Sequence, residues 1–238
     1  MSGILATWRR AFRDKQRYAN KGRDPFYLLA GEYLPAETDA IVVDVGAGFG
    51  RFAEILGLEN RCDLRLLDGN PDTVARLARR YRNVQQYRAP EPLPFADGTV
   101  SFVHCSHLVE HLVYQDLYEF LTEIDRVLRP GGVLAVSTPL LWDGFYEDFS
   151  HVKPYGPGIF RNYFCQQSEQ RSAGNISTSY RIENLTYRYA YRLASTESGL
   201  GSRFMLLDLP IQIMKKVGYW LGLRTYFRNG YTIVLRKG

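Results

Sequence analysis

The sequence predicts an α/β protein built on a doubly wound sheet of seven strands, mostly parallel, with an antiparallel last strand. Two patterns predict this class. Short apolar runs alternate with amphipathic stretches, as they do where parallel strands are linked by crossover helices. The first apolar run also stops at a glycine cluster, as a buried strand entering a turn does. The 238 residues, 45% hydrophobic and 23% charged, suit one generous globular domain and exclude global disorder.

The first 139 residues supply most of the elements. A short helix is predicted over 25–34, before the first strand. Pro71 and Asp72 suit the first turn of a helix, so they open the helix after the second strand. The predicted strands are, in chain order, AIVVDV, DLRLLD, NVQQYRA, VSFVHCS and VLAVSTP. The helices between them are RFAEILGL, PDTVARLARRY and DLYEFLTEIDRVL.

The composition changes after Pro139. Residues 140–192 hold 12 aromatic side chains, which could stack on a flat or sugar-like acceptor or simply fill the core. The polar stretch 166–179 predicts a flexible loop. The alternating segment YRIENLTYRYAYRL and the final YTIVLRKG predict the last two strands.

Both ends of the chain are basic and the body is acidic. Residues 1–23 and 203–238 each carry a net charge of +6, and residues 24–202 carry −7. Residues 3–19 predict a basic amphipathic helix with Trp8 and Phe12 on its apolar face. Such ends suit peripheral contact with an anionic membrane. The alternative is that the apolar stripes pack onto the sheet and the charges only keep the chain in solution.

A second amphipathic helix is predicted near the C-terminus. Asp208 and Pro210 suit the start of a helix. The side chains of Met214, Val217 and Leu221 then line up on one face. Lys215 and Lys216 are predicted to turn away from it.

Targeting signals and cysteines favour a cytoplasmic protein. The segment MSGILATWRR lacks the apolar run of a secretory signal. No stretch approaches the ~20 uncharged apolar residues of a spanning helix. The three cysteines, Cys62, Cys105 and Cys165, are far apart and form no metal-binding spacing.

The glycine loop gives the sharpest functional signal. The run Asp44-Val45-Gly46-Ala47-Gly48-Phe49-Gly50 lies between a strand and a helix, where glycines allow a ligand to approach the backbone closely. It matches neither the dinucleotide nor the P-loop fingerprint. Asp44 suits a cationic or amine-bearing ligand, and Asp68, at the end of the second strand, suits ribose hydroxyls. The predicted ligand has a ribose and a positive charge and needs no pyrophosphate site.

Four segments in this order resemble the class I S-adenosylmethionine-dependent methyltransferases, a family with Rossmann-like sheets. They are VVDVGAGFG, LRLLD, PLPFADGTVSFV with LVEHL, and VLRPGGVLAVSTP. The resemblance is to the broad group that acts on small molecules, sugars and lipids, and it covers about residues 26–139. It implies S-adenosyl-L-methionine as the cofactor. The implied cofactor-binding residues are Asp44, Gly46, Ala47, Gly48, Asp68, Gly69, Glu91 and Ser106.

The sequence departs from the family pattern at the adenine pocket. Many members place an aspartate where this chain has Ala89, followed by a residue with a backbone N–H. Here Pro90 has none to offer. Adenine recognition is therefore predicted to differ, or to be shifted along the chain by a residue or two.

Two histidines are candidate catalytic bases. His107 follows the fourth strand, at the carboxyl edge where ligands bind in such sheets. His151 lies in the aromatic segment on the acceptor side. His104 is predicted to be packed within its strand, and His111 to be structural. A three-histidine metal cluster of His104, His107 and His111 is disfavoured, so no metal site is predicted.

We therefore predict a basic N-terminal helix (1–25), a cofactor-binding core (26–139), and a substrate-side insertion with the final strands of the same domain (140–238). The predicted activity is O-methylation of a small molecule or glycan, for example in surface polysaccharide biosynthesis on a lipid carrier. Amino-group methylation is disfavoured because no N-P-P-[YF] motif follows the fourth strand. The alternatives are an RNA or protein methyltransferase and a non-catalytic binding module. Nucleic acid is the less favoured partner because the body of the protein is acidic. The sequence leaves the oligomeric state open.

Overall fold

A computed structural model describes residues 18–19, 22–167, 173–193, 205–221 and 224–238. Seven strands form one sheet in the order β3-β2-β1-β4-β5-β7-β6. In chain order they are β1 (Ile41–Val45), β2 (Asp63–Asp68), β3 (Val84–Gln86), β4 (Val100–Ser106), β5 (Leu128–Pro139), β6 (Arg181–Leu193) and β7 (Arg224–Arg236).

Helices alternate with these strands. They are α1 (Asp24–Gly31), α2 (Arg51–Leu56), α3 (Pro71–Leu77), α4 (Tyr114–Val127) and α5 (Met205–Trp220). Short 3₁₀ turns lie at Leu58–Asn60, Val109–His111 and Phe145–Glu147. A helical segment at Gly158–Phe160 continues as a π-helical turn at Arg161–Cys165.

The strand directions confirm the predicted fold class. β1 pairs in parallel with β2 and β4, and β4 pairs in parallel with β5. β7 pairs antiparallel with β5. The carboxyl ends of β1, β2 and β4 therefore meet at one edge of the sheet. The strand order reverses between β1 and β4, which is where ligands bind in open α/β sheets.

Apolar cores cover both faces of the sheet. Val43 and Val45 belong to one core, while Val42 belongs to the other, because successive side chains of a strand point to opposite faces. This explains why β1 is an almost uninterrupted apolar run. α4 covers one face with Leu117, Phe120, Leu121, Ile124 and Val127, all buried at helical spacing.

Five of the twelve aromatic side chains in residues 140–192 are buried in the core. Phe145, Tyr155, Phe160, Phe164 and Tyr180 are buried. The sequence left two roles open for these side chains, stacking on an acceptor and filling the core. The structure shows that these five fill the core. The predicted loop around 166–179 carries no helix or strand in its described residues, 166–167 and 173–179.

The C-terminal helix differs from its prediction. α5 begins at Met205, so Asp208 and Pro210 lie within the helix and do not open it. Pro210 is the sixth residue of the helix, so it lacks the N–H that would bond to the preceding turn, and its ring crowds the carbonyl of Leu206. Met205, Leu206 and Leu207 are good helix formers, which favours a helix that starts upstream of Pro210 in spite of this cost. The predicted N-terminal helix over 3–19 lies outside the described residues apart from Tyr18 and Ala19.

The chain divides into two compact units. The larger comprises residues 22–187 and 230–238, and it contains β1 to β5 and α1 to α4. The described part of the smaller comprises 18–19, 188–193, 205–221 and 224–229. The crevice at the ends of β1 and β4 and the histidines near it all belong to the larger unit.

Two phenylalanine-to-alanine variants test the core assignment. Phe120 of α4 has no exposed surface, whereas Phe149 is fully exposed. Phe120→Ala is expected to lower the free energy of unfolding by about 3–5 kcal/mol, because it leaves a cavity. Phe149→Ala makes the same chemical change at the surface and should alter it by less than about 0.5 kcal/mol. Urea unfolding of both variants measures the difference, and equal effects would contradict the packing of α4.

Candidate functional site

A crevice of about 460 Å³ opens at the carboxyl ends of β1 and β4. It lies where the strand order reverses. Six residues predicted for the site line it: Asp44, Gly46, Ala47, Gly48, Ser106 and His107. The structure thus brings together the glycine loop after β1 and the residues that end β4.

The glycine loop is anchored to the neighbouring strand and open towards the crevice. The backbone N–H groups of Gly46 and Ala47 donate to the carbonyl of Leu67, at 2.8 and 3.0 Å. Gly48 has a φ of +54°, and a Cβ there would meet only one backbone oxygen, 4.0 Å away. Glycine is favoured here by this left-handed backbone and leaves room for a ligand.

Asp44 is buried and paired with a histidine of the adjacent strand. Its Oδ1 lies 2.7 Å from Nδ1 of His104. The His104 ring stacks on Phe52, with centroids 3.8 Å apart and an angle of 9° between the planes. The structure confirms that His104 is packed, but it also places this residue in the crevice lining. Sequence reasoning missed this role because the pair is 60 residues apart in the chain.

Two buried polar atoms in the crevice lining lack hydrogen-bond partners among the described residues: Nε2 of His104 and Oγ of Ser106. A buried polar group without a partner costs about 1–3 kcal/mol. These atoms, with Asp44 beside them, fit a ligand that carries polar and cationic groups. The amino-acid part of S-adenosyl-L-methionine has that chemistry.

Asp68 supports the glycine loop from the end of β2. Its Oδ2 accepts from the backbone N–H of Gly48 at 2.8 Å, and its Oδ1 accepts from that of Asn70 at 2.9 Å. A carboxylate can accept about four hydrogen bonds, so Asp68 keeps capacity for ribose hydroxyls. Asp68 and Gly69 are not among the described residues that line the crevice; they lie one strand away.

Glu91 lies in an exposed turn after β3. Its N–H donates to the carbonyl of Arg88 at 2.9 Å, and its own carbonyl accepts from the hydroxyl of Tyr87 at 2.7 Å. Glu91 is also absent from the described crevice lining. The turn that carries Glu91 follows Tyr87, whose backbone N–H donates to the carbonyl of Asp68 at the end of β2 at 3.0 Å.

His107 occupies a strained position at the crevice. Its φ is +56°, and it is the sole described non-glycine residue with positive φ. Its Nδ1 lies 3.0 Å from Oε1 of Glu110, and its N–H donates to the carbonyl of Ser137 at 2.8 Å. Such strain in a non-glycine residue is concentrated at functional sites. The neighbouring carboxylate orients the imidazole, as a carboxylate does for a histidine base.

Glu110 has no exposed surface. Its Oε2 accepts from the hydroxyl of Thr138 at 3.0 Å. Burial, the largest single influence, acts to raise the pKa of Glu110. The hydrogen bond and charge of His107, its own backbone N–H and the charge of His111 together lower that pKa below its ordinary value. The side chain is therefore an ionised carboxylate at neutral pH. The sequence alone did not decide whether Glu110 faces the cofactor or caps a helix.

His151 and His111 lie together beyond Glu110. Their ring centroids are 5.0 Å apart. His151 is not among the described residues lining the crevice, so its predicted role as a base stays a prediction. The histidines His104 and His107 are engaged with Asp44 and Glu110, respectively.

Comparisons with known proteins agree with this geometry. A family of methyltransferase domains matches residues 43–136. A probable S-adenosylmethionine-dependent methyltransferase of Mycolicibacterium smegmatis is 37% identical over 99 residues, which are 41% of this chain and 37% of the relative. A demethylmenaquinone methyltransferase of Chlorobaculum parvum is 26% identical over 80% of this chain and 70% of its own length.

A solved structure shares the fold. It is a SAM-dependent methyltransferase from Archaeoglobus fulgidus, with a TM-score of 0.56 and 21% identity, covering 91% of this chain and 95% of that one. The match to the Mycolicibacterium relative spans only about a third of that protein. The matched region begins within β1 and ends within β5, so it contains the glycine loop, Asp68, Ser106, His107 and Glu110. Residues 43–136 therefore match a family of methyltransferase domains, and the chain shares the fold of a solved SAM-dependent methyltransferase.

Proposed function

We propose that the protein transfers a methyl group from S-adenosyl-L-methionine to a hydroxyl oxygen of a small molecule or glycan. The observation that carries this proposal is His107, which lines the crevice and contacts the buried carboxylate of Glu110. A histidine held this way has the chemistry of a general base, which a hydroxyl acceptor needs.

The proposed roles divide between binding and proton transfer. Asp44, the loop Gly46–Gly48 and Ser106 hold the cofactor, with Asp68 at its ribose. The cofactor supplies a methyl group on a sulfonium centre. Nδ1 of His107 faces Oε1 of Glu110 at 3.0 Å, so a hydrogen on Nδ1 would leave the lone pair of Nε2 to take the proton of the acceptor hydroxyl.

A second cavity supports an acceptor with an apolar or ring-shaped body. It measures about 420 Å³ and lies against the first turns of α4. Its lining includes the aromatic side chains of Tyr114, Tyr118, Tyr155 and Tyr163, with Lys153 as a cation. The Chlorobaculum relative is named for demethylmenaquinone, a small molecule. Both observations favour a small acceptor over RNA or protein.

The exposed face of α5 supports peripheral contact with an anionic membrane on its cytoplasmic side, where a lipid-linked glycan would be available. Four apolar side chains of the helix, Ile213, Met214, Val217 and Trp220, and Leu221 directly after it are all more than half exposed. Lys216 lines the same groove as Val217 and Trp220, so the prediction that it turns away is wrong. In the described part of the chain, no helix combines the length and apolarity that crossing a membrane requires.

Incorporation of labelled methyl groups tests the proposed reaction. The protein is incubated with methyl-labelled S-adenosyl-L-methionine and, separately, with small-molecule, glycan, RNA and protein fractions. We expect label in a hydroxyl acceptor of the small-molecule or glycan fraction. Label confined to RNA or protein, with binding that weakens steeply as salt rises, would favour the macromolecular alternative. Cofactor binding without transfer to any fraction would favour a binding module.

His107→Asn tests the proposed base. Asparagine tolerates the left-handed backbone at this position but cannot take the proton. We expect label transfer to fall by about 10²–10⁴-fold. Affinity for S-adenosylhomocysteine, measured by calorimetry, should stay within a few-fold. Transfer at the wild-type rate would remove His107 from catalysis and leave His151 as the remaining predicted base.

Asp68→Ala tests the proposed ribose contact. Loss of a charge-assisted hydrogen-bond pair should cost about 1.5–3 kcal/mol, or about 10–150-fold in affinity for S-adenosylhomocysteine. Asp72→Ala is the matched control, since Asp72 is an exposed carboxylate four residues away on α3. Calorimetry should find that variant unchanged. An unaltered dissociation constant for Asp68→Ala excludes it from the cofactor site.

Vesicle sedimentation tests the membrane contact. We expect reversible binding to anionic vesicles, little to neutral ones, and weakening by salt, because each basic side chain near an anionic surface contributes about 1 kcal/mol. Trp220→Glu should reduce binding, whereas Tyr146→Glu, an exposed aromatic residue of the larger unit, should not. The absence of binding to anionic vesicles at low salt would show that α5 serves another purpose.

A further inference from the structure

Two histidines and a buried carboxylate converge beside the crevice. One ligand atom from each of Glu110, His111 and His151 lies within 4.8 Å of the other two. Among the described residues, no other group of three or more potential ligands comes together in this way. Two imidazoles and a carboxylate suit transition-metal ions. We propose that these three residues bind a divalent first-row transition-metal ion.

Both histidines are oriented as metal ligands are. Nδ1 of His111 lies 3.0 Å from the carbonyl oxygen of Ser150, and Nδ1 of His151 lies 2.6 Å from that of Phe145. A carbonyl oxygen only accepts, so each Nδ1 carries a hydrogen, and Nε2 is the nitrogen with which each ring can bind a metal ion. Metal-binding histidines usually donate their second N–H to a carbonyl or carboxylate in this manner.

The carboxylate supplies the negative charge. Glu110 has no exposed surface. Thr138 and His107 contact its two oxygens at 3.0 Å each, which fixes its orientation as outer-shell partners do. A buried carboxylate is costly unless it is paired. A cation on the side of His111 and His151 would complete that pairing.

The fold brings these residues together from two loops. His111 follows β4 and His151 follows β5, and these strands are parallel neighbours. The backbone N–H groups of Val152 and Lys153 donate to the carbonyl of Glu110 at 2.8 and 3.2 Å. The two loops are therefore joined directly at the proposed site, so the ligand set does not depend on a mobile segment.

The site leaves coordination positions open. Asp148 is the nearest further carboxylate, with Oδ2 at 4.0 Å from Nε2 of His151. Three protein ligands and an open position are typical of catalytic metal sites. A metal-bound hydroxyl group loses its proton more readily. We therefore propose that the acceptor oxygen would bind this metal ion, next to His107. This step rests on the proposed methyl transfer.

Metal titration of the full-length protein tests the inference. The protein is stripped with EDTA and titrated with Zn²⁺ by calorimetry, and with Co²⁺ by visible absorption. We expect one equivalent per chain and the absorption of cobalt bound by nitrogen and oxygen ligands. His111→Ala, His151→Ala and Glu110→Gln should each weaken binding by more than about 100-fold. Glu147→Gln changes an exposed neighbouring carboxylate and should leave binding unchanged.

Two results would overturn the inference: failure of the wild-type chain to bind a stoichiometric ion, or unchanged binding by both histidine variants. Glu110→Gln alters a buried group and could unfold the chain, so thermal melting is recorded for every variant. If Glu110→Gln does not fold, the variants of the partly exposed histidines, His111→Ala and His151→Ala, test the metal site.

Binding of S-adenosylhomocysteine separates this inference from the proposed function. The crevice lining contains none of the three proposed ligands, so metal-free protein should bind S-adenosylhomocysteine with its affinity changed by no more than a few-fold. If cofactor binding persists and no metal binds, the metal site is wrong and the methyltransferase proposal stands. If the metal binds and S-adenosylhomocysteine does not, the metal site stands and the methyltransferase proposal is wrong.

Discussion

The buried pairing of Asp44 with His104 organises the centre of the molecule. It joins β1 to β4 at a distance of 2.7 Å, at positions that the parallel register places side by side. Phe52 of α2 stacks on the His104 ring, and Tyr27 of α1 contacts both rings edge-on. Breaking a buried hydrogen-bonded pair is costly because one partner is left unsatisfied. This arrangement therefore holds two strands and two helices around the crevice.

The second buried carboxylate connects the crevice to two further histidines. Glu110 contacts His107 at the crevice and lies beside His111 and His151 on the other side. Its backbone carbonyl also holds the loop after β5 through Val152. One residue thus links a candidate base, a pair of histidines and the loop that carries one of them. The strained backbone of His107 is consistent with this concentration of constraints at one position.

Basic charge and apolar surface come together in α5. The body of the chain is acidic, and the described C-terminal segment carries exposed lysine beside exposed apolar side chains. The division of the chain into two compact units places α5 in the smaller one. Methyl transfer is therefore proposed for the larger unit, and membrane contact for the smaller one.

The sequence by itself determined the sheet, the glycine loop and the resemblance to methyltransferases. These features are local: the apolar run of β1, the turn at Gly46–Gly50 and the start of α2 follow one another directly, so periodicity and residue type suffice. The contacts across the site were decided only by the tertiary structure. Asp44 and His104 are 60 residues apart, and Glu110 meets His151 only because β4 and β5 are neighbours. Strand order and register bring such side chains together, and both depend on packing of the whole sheet, which no short segment encodes.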